Sequence, residues 1–106
     1  MYNNTTGNGN NAIGQVALAR NTTGSFNSAM GSGTAYYNTT GSFNSAVGGN
    51  ALRDNITGND NVAIGSYALS HNLASSNIGV GYGAGNGITT GARNVVIGTN
   101  LSLIHI

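Results

Sequence analysis

The sequence predicts an all-β fold, a parallel β-roll or β-solenoid of about six coils of roughly 17 residues each. Three observations carry that prediction. A motif recurs at a constant interval, one of its positions is apolar in every copy, and unbroken columns of Gly and Asn punctuate it. The copies read NTTGNGNNAIGQVALAR from Asn4, NTTGSFNSAMGSGTAYY from Asn21, NTTGSFNSAVGGNALRD from Asn38 and NITGNDNVAIGSYALSH from Asn55. A fifth, NLASSNIGVGYGAGNG from Asn72, is one residue shorter, and a sixth starts at Ile88 with ITTGARNVVIGTN. A disordered polar tract has no reason to hold register over so many copies. The array therefore makes one repeat domain over residues 1–100.

Within each copy the first element is a short strand around Asn-x-Ala-Ile. Its apolar column is Ile13, Met30, Val47, Ile64, Val80 and Ile97, and beside it Ala12, Ala29, Ala46, Ala63, Gly79 and Val96 are mostly small. A tight Gly turn follows. The next stretch, around Ala-Leu, is too brief for a helix and reads as a second strand, with Leu18, Leu52 and Leu69 relaxing to Ala35 and Gly85. Asn-Thr-Thr-Gly closes the coil as a turn, in which Asn tolerates left-handed geometry. Each coil then has two apolar sites to bury.

The turn column Gly14, Gly31, Gly48, Gly65, Gly81 and Gly98 is unbroken. Positive φ or a close backbone approach is the structural reason for it. A second column, Gly7, Gly24, Gly41, Gly58 and Gly91, ends the Asn-Thr-Thr turn. The invariant Asn10, Asn27, Asn44, Asn61, Asn77 and Asn94 column reads as a stacked amide ladder, each side chain bonding to the coils above and below. A coil shares its main-chain ladder with neighbours, yet a core of Ala, Gly and few large side chains is thin, and oligomerisation is the natural remedy.

Composition excludes several classes of function. Three Lys/Arg and a net charge of +1 make no basic stripe for nucleic acid, since Arg20, Arg53 and Arg93 are scattered. There is no Cys, hence no disulfide framework and no thiolate metal site. No apolar run is long enough to cross a bilayer. Asp54 and Asp60 are the only carboxylates, too few for Ca²⁺-binding turns in every coil or for a paired-acid glycosidase site. His71 falls in the turn column of Arg20, Tyr37 and Asp54 and reads as an exposed turn residue. The run from Gly79 to Gly85 lacks the Lys-Ser/Thr and the helix of a phosphate loop. No catalytic residue, cofactor or metal ligand is expected, and the chain reads as non-enzymatic.

The strings NNAIGQVAL, NSAVGGNAL and NVAIGSYAL resemble the YadA-like head repeats of trimeric autotransporter adhesins. The NTTGS and NTTGN links are similar to the longer variant found in phage and phage-like tail fibres and in environmental bacterial surface proteins. The resemblance covers about residues 2–100. Its Asn-x-Ala-Ile-Gly hallmark is matched at Asn10–Gly14 and Asn61–Gly65 and departs at Asn77–Gly81, where Gly79 replaces Ala. It implies a left-handed roll, a homotrimer in which some Ile/Val side chains fill each roll and others face the threefold axis, and a role in adhesion or receptor contact. The implied location is a cell surface, extracellular space or virion tail fibre, and the implied partner a host or cell-surface ligand.

A different class of function is ice binding, prompted by the Thr pairs at 5–6, 22–23, 39–40 and 89–90. The Asn-x-Thr sequences at Asn4, Asn21, Asn38 and Asn55 fit the N-glycosylation pattern but recur because the turn recurs. Tyr36, Tyr37, Tyr67 and Tyr82 are candidate surface contacts. The last six residues, 101–106, break the repeat. LSLIHI is the translation of a sequence resembling a transposon-library adapter, so the segment reads as the non-native end of a metagenomic fragment.

Overall fold

A computed structural model describes residues 3–100; the segment read as adapter lies outside the described residues. Six three-residue strands follow one another: β1 (Asn11–Ile13), β2 (Ser28–Met30), β3 (Ser45–Val47), β4 (Val62–Ile64), β5 (Ile78–Val80) and β6 (Val95–Ile97). They form one parallel sheet in chain order, each strand pairing in register with the same strand of the next coil. The molecule is a β-solenoid, with neighbouring coils stacked at about 4.8 Å. The step is 17 residues everywhere except from β4 to β5, where Val62 faces Ile78. The missing residue is absorbed in the Asn72-Leu73-Ala74 turn, so the sheet register survives.

The described coils have one strand each and no second strand among the Ala-Leu segments, which corrects the two-strand expectation. Val16 and Leu18 adopt φ of 55° and 50°, and Leu52 and Leu69 repeat that left-handed geometry at 52° and 48°. Extended backbone cannot accommodate such angles. The segment is instead a run of overlapping turns. Ala17, Ala19 and Asn21 donate their N–H groups to Gly14, Val16 and Leu18 three residues back, while Leu18 and Arg20 donate to Thr34 and Tyr36 in the next coil. Alternating local and inter-coil bonds let the chain turn tightly and still satisfy its main chain.

The core is smaller than two apolar sites per coil. Leu18, Leu52 and Leu69 fill the interior with Ala17, Ala51, Ala68 and Ala84 from the turns and Ala29, Ala46, Ala63 and Val96 from the strands. The neighbouring column of Ile and Val points outward. Strand side chains alternate, so once Ala29 and Ala46 face the narrow interior, Met30 and Val47 must face away. The interior holds at most one Leu and a few Ala per coil, which leaves no room beside them for the Ile and Val column.

Packing near β5 shows how tight that limit is. Gly79 stands where the first four coils have Ala, and a Cβ there would lie 2.9 Å from Leu69 Cγ. Gly85 stands in the column of Leu18, Leu52 and Leu69, and its Cβ would meet Leu69 Cδ2 at 2.8 Å and Ile88 Cδ1 at 3.4 Å. Ile88 and Val96, larger than the residues they replace, are buried in the space thus released. Space given up at the two glycines is taken by larger side chains beside them.

Candidate functional site

The Asn column runs through the interior. Asn27, Asn44, Asn61, Asn77 and Asn94 are buried, and Asn10 is half-buried at the first coil. Asn44 donates its main-chain N–H (3.0 Å) and Nδ2 (3.1 Å) to Asn27 Oδ1, and Nδ2 also to the carbonyl of Gly58 in the next coil (2.8 Å). Asn61 repeats the arrangement on Asn44. Asn94 Oδ1, the last rung, is buried with no hydrogen-bond partner among the described residues.

A second amide ladder escaped the sequence reading, which assigned the Asn of Asn-Thr-Thr-Gly to a turn. Asn21, Asn38, Asn55 and Asn72 are fully buried, and Nδ2 of Asn38 donates to Asn21 Oδ1 at 2.8 Å and to Gly41 O at 3.0 Å. None of the four has positive φ. The Gly41 carbonyl also accepts from Asn27 Nδ2 at 2.8 Å, and Gly24 and Gly58 likewise accept from both, so these three glycines join the two ladders. The glycine is required by proximity: a Cβ on Gly41 would lie on Gly58 O at 2.4 Å and Asn38 Oδ1 at 2.5 Å. Recurrence of Asn every 17 residues was the available signal. The same burial ties up the amide nitrogens that glycosylation would need.

The Gly14 column carries φ of 121–140°, a region essentially reserved for glycine, and a Cβ on Gly48 would meet the Gly65 carbonyl carbon at 2.6 Å. Gly81 belongs to this column at 126°, whereas Gly83 and Gly85 lie at 65° and 66°, the left-handed region that Asn50 and Leu52 adopt in their columns.

On the outer surface the chemistry separates onto different faces. The strand face carries Ile13, Met30, Val47, Ile64 and Ile97, which are 61, 50, 42, 44 and 67% exposed. Ile78 and Val95 lie beside them, and a shallow groove of about 240 Å³ crosses the face over Ala29 and Ala46. Two residues before β2 and β3, Phe26 and Phe43 stack in the open with centroids 5.3 Å apart and planes at 15°.

The turn edge bears Tyr, Arg, Asp and His. Arg20 lies 5.5 Å from the Tyr36 ring centre and 5.3 Å from that of Tyr37, the two rings meeting edge to face. Further along, Arg53 donates from Nε to Asp54 Oδ1 (2.8 Å) and from Nη2 to Oδ2 (3.2 Å), and His71 Nδ1 lies 3.0 Å from Asp54 Oδ2. The Arg53 hydrogen bond holds the Asp54 carboxyl below its ordinary range, against partial burial and with help from His71. The same bond raises the Arg53 guanidinium, opposed by burial. Tyr67 and Tyr82 meet edge to face at 6.2 Å.

In three of the Thr pairs the first hydroxyl is tied to the next coil, while the second residue of each, Thr6, Thr23 and Thr40, is exposed. Thr5, Thr22 and Thr39 turn Oγ1 onto the carbonyls of Thr22, Thr39 and Ile56, at 3.1, 3.2 and 3.1 Å. Among the described residues no group of three His, Cys, Asp or Glu is placed to hold a metal ion, and no helix is long and apolar enough to cross a membrane. Comparison with family models, curated proteins and solved structures returned no match.

Proposed function

We propose that the chain is a non-catalytic structural or adhesive module of a fibrous surface protein, of the trimeric-adhesin or tail-fibre type, and that it works as a homotrimer. One observation carries the reading. The coil interior is filled by Ala with a Leu in only three of the coils, while a stripe of Ile, Val and Met on the strand face stays uncovered. Monomeric soluble proteins rarely leave so extended an apolar stripe open. Three copies arranged about an axis parallel to the stack would each bury that stripe against the others by closed symmetry. A rod of this kind holds a binding surface away from a cell or virion, and its edges are free to make contact.

Sedimentation velocity of the chain tests the assembly. A trimer is expected, and Ile64→Asp on the outer face should release monomers whose circular dichroism is unchanged. A monodisperse monomer at micromolar concentration would sink the reading. Attachment to cells, measured with the trimer, separates an adhesin from a spacer. One hydroxyl in each of the pairs at 5–6, 22–23 and 39–40 is bonded within the stack and the array is interrupted at Ile56 and Leu73-Ala74, which weighs against ice binding, and no thermal hysteresis is expected.

A further inference from the structure

The columns that build the coil repeat, whereas those of the turn edge change in every copy. One edge column reads Ala19, Tyr36, Arg53, Ser70, Asn86 and the next Arg20, Tyr37, Asp54, His71, Gly87. Residues that alter from coil to coil are not needed to form it. They nevertheless gather two of the three arginines and an adjacent Tyr pair on one strip. Within that strip the charges are unequal. Arg53 is neutralised by both oxygens of Asp54, while the exposed Arg20 guanidinium makes no ion pair or side-chain hydrogen bond among the described residues and rests only on the Tyr36 and Tyr37 rings. Its planar fork is free to take a carboxylate in bidentate fashion.

We propose that this turn edge binds a carboxylated saccharide lying along the stacking axis, with Arg20 as its carboxylate anchor and the exposed ring of Tyr37 as its platform. The inference deepens the surface-module reading and rests on it. Three features select the ligand class. Tyr presents a broad apolar ring with a polar tip, suited to the mixed face of a sugar. Coils repeat at about 4.8 Å, close to the advance of one residue in an extended glycan, so successive sugars would meet successive coils. Along this edge Leu18, Arg20, Ala35, Tyr37, Leu52 and Asp54 already donate their main-chain N–H groups to the next coil. A peptide could not add there as a strand, the mode by which extended peptides gain main-chain bonds. Nucleic acid would need far more cations than the three on this chain.

Calorimetric titration of the assembled chain with tri-galacturonate, and with its methyl ester, tests the proposal. The acid should bind, with affinity falling as salt is added. The ester, which keeps the rings and loses the charge, should bind about tenfold more weakly or worse. Arg20→Gln should cost about tenfold for the acid and little for the ester, and Arg20→Lys should recover only part, because the fork is lost. Tyr37→Ala should weaken both ligands. All three variants lie on the surface and should leave the circular dichroism unchanged. Equal binding of acid and ester, no binding of the acid, or wild-type affinity in Arg20→Gln would overturn the assignment. Trimer formation and cell attachment persisting under any of those results would leave the surface-module reading standing.

Discussion

Asn61 donates both its main-chain N–H and its Nδ2 to a single atom of the coil before it, Asn44 Oδ1, at 3.0 and 3.1 Å. The interior is thus held by a polar spine as much as by an apolar one. Leaving a buried N–H unpaired costs about 1–3 kcal/mol. Asn44→Ala orphans the Asn61 N–H and removes a bond to Gly58, so it should destabilise by about 2–4 kcal/mol in chemical denaturation. Asn38→Ala, in the second ladder, should cost about as much, while Asn10→Ala, half-buried at the first coil, should cost clearly less because water can substitute. Equal effects at Asn10 and Asn44 would contradict the ladder account.

Two adjacent glycines should respond in opposite ways to the same substitution. Gly48 has φ of 121° and a Cβ there would lie 2.6 Å from the Gly65 carbonyl carbon, so Gly48→Ala should cost about 3 kcal/mol or abolish folding. Gly49 has ordinary φ, and the nearest atoms to its Cβ lie at 3.7 Å. Gly49→Ala should therefore be neutral or stabilise by about 0.4–1 kcal/mol through the unfolded chain. Thermal melts of the pair decide the matter.

Val16 is a β-branched residue at φ 55°, a conformation that costs L-residues about 1–2 kcal/mol. The same column holds Asn50 at 60° and glycines at Gly33 and Gly83. Asn tolerates the left-handed region, so Val16→Asn should raise the melting temperature, by an amount corresponding to about 1 kcal/mol. A lower melting temperature would show that Val16 packing outweighs its backbone strain.

Asp54 is held below its ordinary pKa, first by Arg53. Its folded state therefore binds its proton less readily than the unfolded chain does. The stabilisation is present above the unfolded pKa and is lost as pH falls through the folded one. With both side chains about a third exposed, it should amount to a few tenths up to about 1 kcal/mol. Measured from neutral pH into acid, the stability gap between the wild type and Asp54→Asn should shrink toward low pH. A gap independent of pH would contradict the ion pair's contribution.

The outer edge was only partly legible in advance. His71 stands in its column with Asp54, as the repeat implies, and stacking makes residues one period apart into neighbours; hence the 3.0 Å contact. The approach of Arg53 to Asp54 depends instead on rotamers that periodicity does not specify. Arg20 and Tyr37 are one period apart as well, so their proximity follows from the stacking, whereas the approach of Arg20 to Tyr36, one column over, depends on rotamers.

By itself the sequence determined the period, the parallel register and the unbroken Gly and Asn columns. Stacking identical coils converts spacing along the chain directly into contacts between coils. The one-residue gap before β5 and its harmless place in a turn were readable for the same reason. What only the tertiary structure decided was which side of each strand faces inward and how the rest of the coil closes. A three-residue strand with Ala in the middle and Ile after it is compatible with either face. The choice falls to the width of the cavity, which left-handed turns at Val16 and Leu18 narrow until Ala, Leu and two rows of Asn fill it. The Ile and Val column is left outside, and the apolar stripe that follows is a property of the folded coil.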